Sequence, residues 1–186
     1  MIETKTTTET ATLKAVDLGL PSGTLWADRN LGADAPENTG DFFRFGETEP
    51  FTEKCLPYEY KKLGDGFEVA GTENDAASAI LGQRWQTPTE DQVTELHDYC
   101  TGEWQRINGI KGLKVTGPNG NSIFLPLAGN LNQTGELSDQ GKIGCIWTSS
   151  CMGGEKGLLF FWMSGYWYVD TCDRAYGFTV RPVTNY

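Results

Sequence analysis

The sequence is poor in histidine and in basic residues, and it has no long apolar run. His97 is the only histidine, so a histidine-rich metal site or a histidine-based catalytic triad is hard to build. Lys and Arg number 15 against 25 Asp and Glu, which gives a formal net charge of −10. Phosphate binding needs a clustered basic surface, so we expect neither a nucleic-acid partner nor attraction to anionic membranes. No apolar run approaches the roughly 18 residues of a membrane span, so membrane insertion is not expected.

Cysteine is present without the pattern of a site. The five cysteines form no Cys-x-x-Cys pair and have no regular spacing. Because their number is odd, at least one thiol is unpaired in a monomer. The sequence therefore predicts neither a zinc site nor a complete disulfide framework, and we expect no metal and no bound cofactor.

The first residues are polar and rich in threonine. MIETKTTTETATLKA has Thr and Glu where the apolar region of a signal peptide would lie, so no signal peptide is predicted in this chain. Residues 1–14 have little to bury and are expected to be a disordered leader or linker. We expect a single domain over residues 15–186, since this length supports one ordinary core.

Two segments have the pattern of helices. Residues 74–81, NDAASAIL, favour a short helix capped by Asn74 and stopped at Gly82. TPTEDQVTELHDYC has the stronger signal, because Thr89 and Gln92 form a capping box. We expect Val93, Leu96, Tyr99 and Cys100 to share one face of this helix, which Gly102 then ends.

Short strands account for most of the remaining pattern, with much loop between Ala33 and Gly82. AVDLGLPSGTLWADRNLGA fits two strands around a Pro21-Ser22-Gly23 turn, and LKVTGPNGNSIFLP fits a hairpin. Four more strands are predicted, at CIWTSS, GLLFFWM, YWYVD and FTVRPV. The expected class is α+β, with two helices, short antiparallel strands and a high loop content.

The stretch FFWMSGYWYVDTC, residues 160–172, is dense in aromatic side chains. Residues 145–186 have no net charge, so recognition there is expected to depend on shape and stacking. Residues 158–161 are expected to form a strand buried on both faces. For Tyr166, Trp167 and Tyr168 two interpretations stay open, exposed ligand contact and packing at a sheet edge.

Six segments together follow the pattern of one known family; they are VDLGLPSGTLWADRNLGA, FGETEP, NDAASAILGQRWQTPTEDQVTEL, NGIKGLKVTGPNGNSIFLPLAG, IWTSS and YGFTVRPV. They resemble the family called the Fibrobacter succinogenes major paralogous domain, found in gut Bacteroidetes and related to the C-type lectin fold. The resemblance covers nearly all of residues 15–183. The sequence departs from the family at Gln86 and Thr87, where an Arg and an apolar residue usually precede Pro-Thr.

The resemblance implies a non-enzymatic ligand-binding protein with a C-type-lectin-like fold. Members of this fold serve as variable proteins of diversity-generating retroelements, in which adenine-directed mutagenesis rewrites surface codons near the C-terminus. The ligand implied is a protein or a glycan met at a cell surface or on a phage virion. The binding face is expected within about residues 145–183, at Cys151, Met152, Gly153, Trp162, Tyr166, Trp167, Tyr168, Asp170, Thr171, Cys172, Asp173 and Tyr176.

Three other functions stay open at this point. A calcium-dependent lectin would carry Glu-Pro-Asn and Trp-Asn-Asp motifs, but only Glu49-Pro50-Phe51 comes near. A sulfatase-modifying type of oxidase, which resembles this fold, would use paired cysteines such as Cys145 and Cys151. A fixed-specificity surface or pilus-associated adhesion module would use the aromatic end against a glycan or a partner subunit.

Overall fold

A computed structural model describes residues 12–52, 58–64 and 66–185. These residues form a mixed α/β structure with two helices and many antiparallel strands in open sheets, which confirms the predicted class at this level. The helices are α1 (Ala76–Leu81) and α2 (Glu90–Tyr99). Neither is long and apolar enough to cross a membrane.

The first sheet joins the two ends of the described chain. Strand β1 (Ala15–Asp17) pairs with β2 (Leu25–Ala27), which also pairs with β13 (Val183–Thr184). The two predicted strands are confirmed, and Gly23 N–H donates to Leu20 O in the predicted turn. Lys14, the last residue of the predicted leader, is ordered against the first sheet, because its backbone N–H donates to Asp28 Oδ1. The prediction of a disordered leader otherwise falls on residues 1–11, outside the described residues.

The second sheet has seven strands and carries the aromatic end of the chain. Its order is β11-β10-β9-β12-β7-β8, with β3 also paired to β12. Strand β10 therefore lies inside the sheet, as expected, and β11 lies at an edge. The strands are β3 (Phe42–Arg44), β7 (Asn130–Leu131), β8 (Leu137–Ser138), β9 (Ile143–Gly153), β10 (Lys156–Met163), β11 (Tyr166–Asp173) and β12 (Gly177–Thr179).

The third sheet contains the predicted hairpin and a strand that the sequence did not predict. Strands β5 (Ile110–Thr116) and β6 (Ser122–Pro126) pair around the expected turn. Strand β4 (Thr101–Ile107) pairs with β5 and includes Gly102, which was expected only to end α2. A Cβ on Gly102 would lie 3.0 Å from Leu113 Cδ1, so the glycine makes room for a cross-strand side chain.

Helix α2 begins as predicted, whereas α1 uses a different cap. Thr89 and Gln92 form both hydrogen bonds of the capping box of α2. The cap of α1 is Asp75 and not Asn74, because the buried Asp75 carboxylate accepts hydrogen bonds from Ala77 N and from Thr87 N and Oγ1. Thr87 thus connects the two helices. The predicted stop of α1 at Gly82 is confirmed.

The core lies on both sides of the seven-stranded sheet. One cluster includes Val93 and Leu96 of α2 with Phe160 and Trp162 of β10, and we call this the helix side of the sheet. The other cluster includes Trp147 and Leu159, and we call this the open side. Tyr99 was expected on the buried face of α2, but its side chain is exposed, so that prediction is wrong.

Arg181 connects three parts of the fold from a fully buried position. Its guanidinium donates to Asn30 Oδ1 at 2.8 Å, to Ala27 O at 3.1 Å and to Phe124 O at 2.6 Å. Buried charge is tolerated where its donors are satisfied in this way. The C-terminal segment is thereby fixed against the first and third sheets, and it holds the strands that follow the aromatic stretch.

Candidate functional site

Strand β11 presents its aromatic residues alternately to the two sides of the sheet. Tyr166 and Tyr168 point to the open side and are 66% and 44% exposed. Trp167 points to the helix side and is half-buried, with its ring 5.1 Å from the ring of His97 and 5.9 Å from that of Phe160. The two tyrosines are thus exposed, whereas the tryptophan packs at the edge of the sheet; ligand contact by the tyrosines stays a prediction.

Strand pairing extends the exposed aromatic surface across β10 to β9. Tyr168 lies opposite Phe161, with ring centroids 5.3 Å apart, and Tyr166 lies opposite Met163. Met163 in turn lies opposite Ile143 of β9. These side chains are exposed or half-buried on one continuous face. We call this surface the open-side patch; it consists of Ile143, Phe161, Met163, Tyr166 and Tyr168.

The patch continues along β11 to polar residues. On the open side Asp170 is exposed and Cys172 is half-buried, whereas the exposed Thr171 between them points to the helix side. Asp173 has a structural role, because its carboxylate accepts hydrogen bonds from Tyr60 Oη at 2.6 Å and from Gln133 Nε2 at 3.2 Å. The hydrogen bond to Asp173 raises the pKa of Tyr60. Asp173 therefore connects the end of β11 to the segments that contain Tyr60 and Gln133.

An irregularity at the end of β9 exposes Met152. The register shifts between Lys156 opposite Gly153 and Gly157 opposite Cys151, so Met152 is an extra residue without a partner in the ladder. Its side chain is 61% exposed. Met152 and Gly153, both predicted site residues, thus lie at an accessible hairpin end.

Two predicted site residues are buried and are corrected here. Trp162 points to the helix side, where its ring lies against Gly144 and has no exposed surface. Cys151 is buried on the open side near Phe45, whose ring covers Gly157. A ligand cannot touch either side chain without displacing the core. Tyr176, also predicted, is half-buried and stacks on Phe178 with ring centroids 6.3 Å apart.

Burial disfavours the thiolate form of two cysteines, Cys145 and Cys172. Cys100, Cys145, Cys151 and Cys172 are free thiols, and Cys55 lies outside the described residues. Burial raises the pKa of Cys145 well above its ordinary value and also raises the pKa of Cys172. Both thiols are therefore protonated near neutral pH, the form that is the weaker nucleophile.

Metal-ligating groups do not converge in the described ranges 12–52, 58–64 and 66–185. No group of three or more His, Cys, Asp and Glu side chains there is placed to hold a metal ion. His97 instead forms a 3.0 Å contact with Asp98 and the ring contact with Trp167.

Sequence reasoning missed three members of the patch, Ile143, Phe161 and Met163. Phe161 was expected in the core, and Met163 was predicted only as the last residue of the strand GLLFFWM. These residues become neighbours through the register of β9, β10 and β11. Strand register depends on turn geometry and bulges, so local hydropathy does not predict it. Comparison of the chain with known family models, with curated proteins and with solved structures gave no match.

Proposed function

We propose that this chain is a non-enzymatic ligand-binding protein with a C-type-lectin-like fold, and that the open-side patch is its binding surface. The observation that carries the proposal is a contiguous surface on one sheet face, in which the exposed side chains of Met163, Tyr166 and Tyr168 adjoin the half-buried Phe161. Exposed apolar patches of this kind mark interaction sites. Tyr gives large, rigid contact area with a polar tip, which suits a protein or glycan ligand.

The architecture supports the fold assignment. Two helices, many short antiparallel strands and long loops are the features that the resemblance to the Fibrobacter succinogenes major paralogous domain implies. The quoted segments that carry the resemblance supply the capping box of α2 and the buried Arg181. Thr89, Gln92 and Arg181 belong to the scaffold and are not members of the open-side patch.

The distribution of residue types supports a role as the variable protein of a diversity-generating retroelement. An adenine-rich Asn codon can be rewritten to Tyr, Asp or Cys but not to Trp or Met. Residues 166, 168, 170 and 172, which alternate along β11 on the open side, are Tyr, Tyr, Asp and Cys. Trp162 and Trp167 point to the helix side. Met163 is the exception on the open side and requires a fixed codon or a different template codon.

Sequencing tests this proposal directly. The 3′ part of the gene is sequenced deeply from a growing population of the source, and the neighbouring DNA is searched for a near-copy of the segment encoding residues 145–183. We expect substitutions at positions where the copy has adenine, concentrated at 166, 168, 170 and 172. A uniform sequence with no copy nearby would exclude the role as a variable protein of a retroelement. The remaining candidate would be a fixed-specificity adhesion module that binds a glycan or a partner subunit.

Binding itself is tested by substitution. Once a ligand is found on a cell surface or in a protein or glycan array, the double variant Tyr166→Ser with Tyr168→Ser should lose at least tenfold in affinity. Exposed aromatic anchors contribute in this range at interfaces. The double variant Ile80→Ser with Tyr99→Ser is the control, because these large side chains are exposed elsewhere. If the unmodified protein and both double variants bind the ligand with equal affinity, the open-side patch is not the binding surface.

A further inference from the structure

The outer edge of β11 is a second feature of the same region, distinct from the patch on its face. Strand β11 pairs with β10 in unbroken register over all eight residues, from Tyr166 to Asp173. Among the described residues, no strand pairs with its other edge. An edge strand presents a row of backbone N–H and C=O groups that another extended chain can bond.

Proteins usually protect such an edge with lysine, proline or a bulge. Strand β11 contains no lysine and no proline, and its ladder with β10 has no bulge. The amide of Thr171 donates to Asp170 Oδ1 at 2.7 Å, so this N–H points away from β10 and has to exchange the carboxylate for a carbonyl of an added strand. Because the backbone groups alternate in an antiparallel ladder, the amides of Trp167 and Val169 point outward as well.

Negative charge prevails around this edge, although Lys156 of β10 lies opposite Asp173 at one end of the ladder. Helix α2 packs against β11, and the two elements together contain six carboxylates and no Lys or Arg. A second copy of this edge would bring like charges together, whereas a basic segment would be attracted. The six residues are Glu90, Asp91, Glu95, Asp98, Asp170 and Asp173.

We infer that β11 accepts an extended, lysine- or arginine-rich segment of a partner protein as an added strand of the seven-stranded sheet. Main-chain hydrogen bonds along the edge supply the affinity, and side chains at alternate positions supply the selectivity. On the open side, the cationic side chains of such a segment lie next to the rings of Tyr166 and Tyr168, where cation–π contacts form. The inference rests on the proposed function in that one partner would cover both the edge and the patch.

The probe is a blocked, fluorescently labelled eight-residue peptide that alternates valine and lysine. We expect saturable binding by anisotropy, with an affinity that falls at least tenfold between about 20 and 500 mM salt, because exposed charges are screened. Hydrogen exchange should slow at the amides of Trp167, Val169 and Thr171. A valine–glutamate peptide of the same length should not bind. Binding without this amide protection would overturn strand addition.

Two variants separate the backbone from the charge. Thr171→Pro removes an outward donor that the ladder with β10 does not need, and it should reduce peptide affinity at least tenfold while denaturation shows the fold retained. Asp170→Asn keeps the backbone and should weaken binding about threefold to tenfold, with a smaller salt dependence. Glu103→Gln is the matched control, because Glu103 is exposed on β4, at the edge of the third sheet. Unchanged affinity in Asp170→Asn would contradict the inference even if Thr171→Pro fails to fold.

Failure here is distinguishable from failure of the proposed function. The double variant Tyr166→Ser with Tyr168→Ser keeps the backbone of β11, so it should keep the amide protection by the peptide while its affinity falls. If Thr171→Pro binds the peptide with unchanged affinity and unchanged protection of the other edge amides, strand addition is refuted. The proposal that the open-side patch binds a ligand would still stand. A uniform gene sequence in the source population would exclude the retroelement role and would leave the inference of strand addition at β11 unaffected.

Discussion

The two sides of β10 and β11 have similar side chains and different surroundings. On the helix side, Phe160, Trp162 and Trp167 pack under α2. On the open side, Phe161, Met163 and Tyr168 are exposed or half-buried. Hydropathy therefore limits which residues can lie in the core. The helices and loops that pack over each side of the sheet decide which of those residues are buried. The open side therefore carries the aromatic surface available to a ligand.

The largest expected effect separates the two sides of β10 at neighbouring positions. Trp162→Ala should lower the free energy of unfolding by about 3 to 5 kcal/mol, since it leaves a large cavity in the helix-side core. Met163→Ala, one residue away on the open side, should cost about 1 kcal/mol or less, as a substitution of a partly exposed side chain. Guanidinium denaturation followed by circular dichroism measures both. Similar losses would contradict the assignment of the two sides.

A smaller loss is expected from adding one methyl group on the helix side. A Cβ on Gly144 would lie 2.1 Å from the ring of Trp162, so Gly144→Ala should destabilise the fold by about 1 to 3 kcal/mol through overpacking. Gly64→Ala is the control, because a Cβ there has no neighbour within 4 Å and the residue has no positive φ. Thermal unfolding compares the variants, and a neutral Gly144→Ala would mean that the indole can move aside.

Weakening the helix that covers the helix side should have a moderate effect. Thr89→Ala removes the capping box of α2 and should cost about 1 kcal/mol. Acrylamide quenching of tryptophan fluorescence should increase, because Trp167 lies against His97 of this helix. Thr94→Ala, at an exposed position inside α2, should not destabilise the fold, because Ala has the higher helix propensity by about 0.5 kcal/mol, and it should leave quenching nearly unchanged. If both variants behave alike, α2 does not protect this side.

The smallest effect is expected at the exposed tyrosines. Tyr166→Ser and Tyr168→Ser should each change the free energy of unfolding by about 0.5 to 1 kcal/mol or less, because both side chains keep much of their surface in water. Tyr168→Ser should cost the more of the two, since its ring contacts Phe161. Chemical denaturation checks the order. A loss of several kcal/mol in either variant would mean that the patch is core.

Local patterns in the sequence predicted elements whose determinants are themselves local. The capping box of Thr89 and Gln92 and the hairpin of β5 and β6 are confirmed because caps and turns act over a few residues. The burial of Phe160 is confirmed because its strand is interior. Predictions that depended on distant contacts were less reliable. Asp75 replaced Asn74 as a cap because Thr87 supplies it with donors from another segment.

The predicted site residues differ in their exposure. Tyr166, Tyr168 and Asp170 are exposed on β11. Trp162 and Cys151 are not, because the side of a strand that is covered depends on where α2 and the loop near Phe45 pack. Phe161 joined the surface for the same reason. Which side of an apolar strand faces water is a property of the tertiary structure.

A pair of matched libraries tests the central claim, that the open side is a surface free to change for binding. One library randomises Phe161, Met163, Tyr166 and Tyr168, and the other randomises Phe160, Trp162, Trp167 and Val169 on the helix side. Both are displayed on cells and sorted for resistance to protease. The account predicts that most open-side variants stay folded and that most helix-side variants are lost. Equal depletion of the two libraries would contradict it, because a surface that cannot change without unfolding is core.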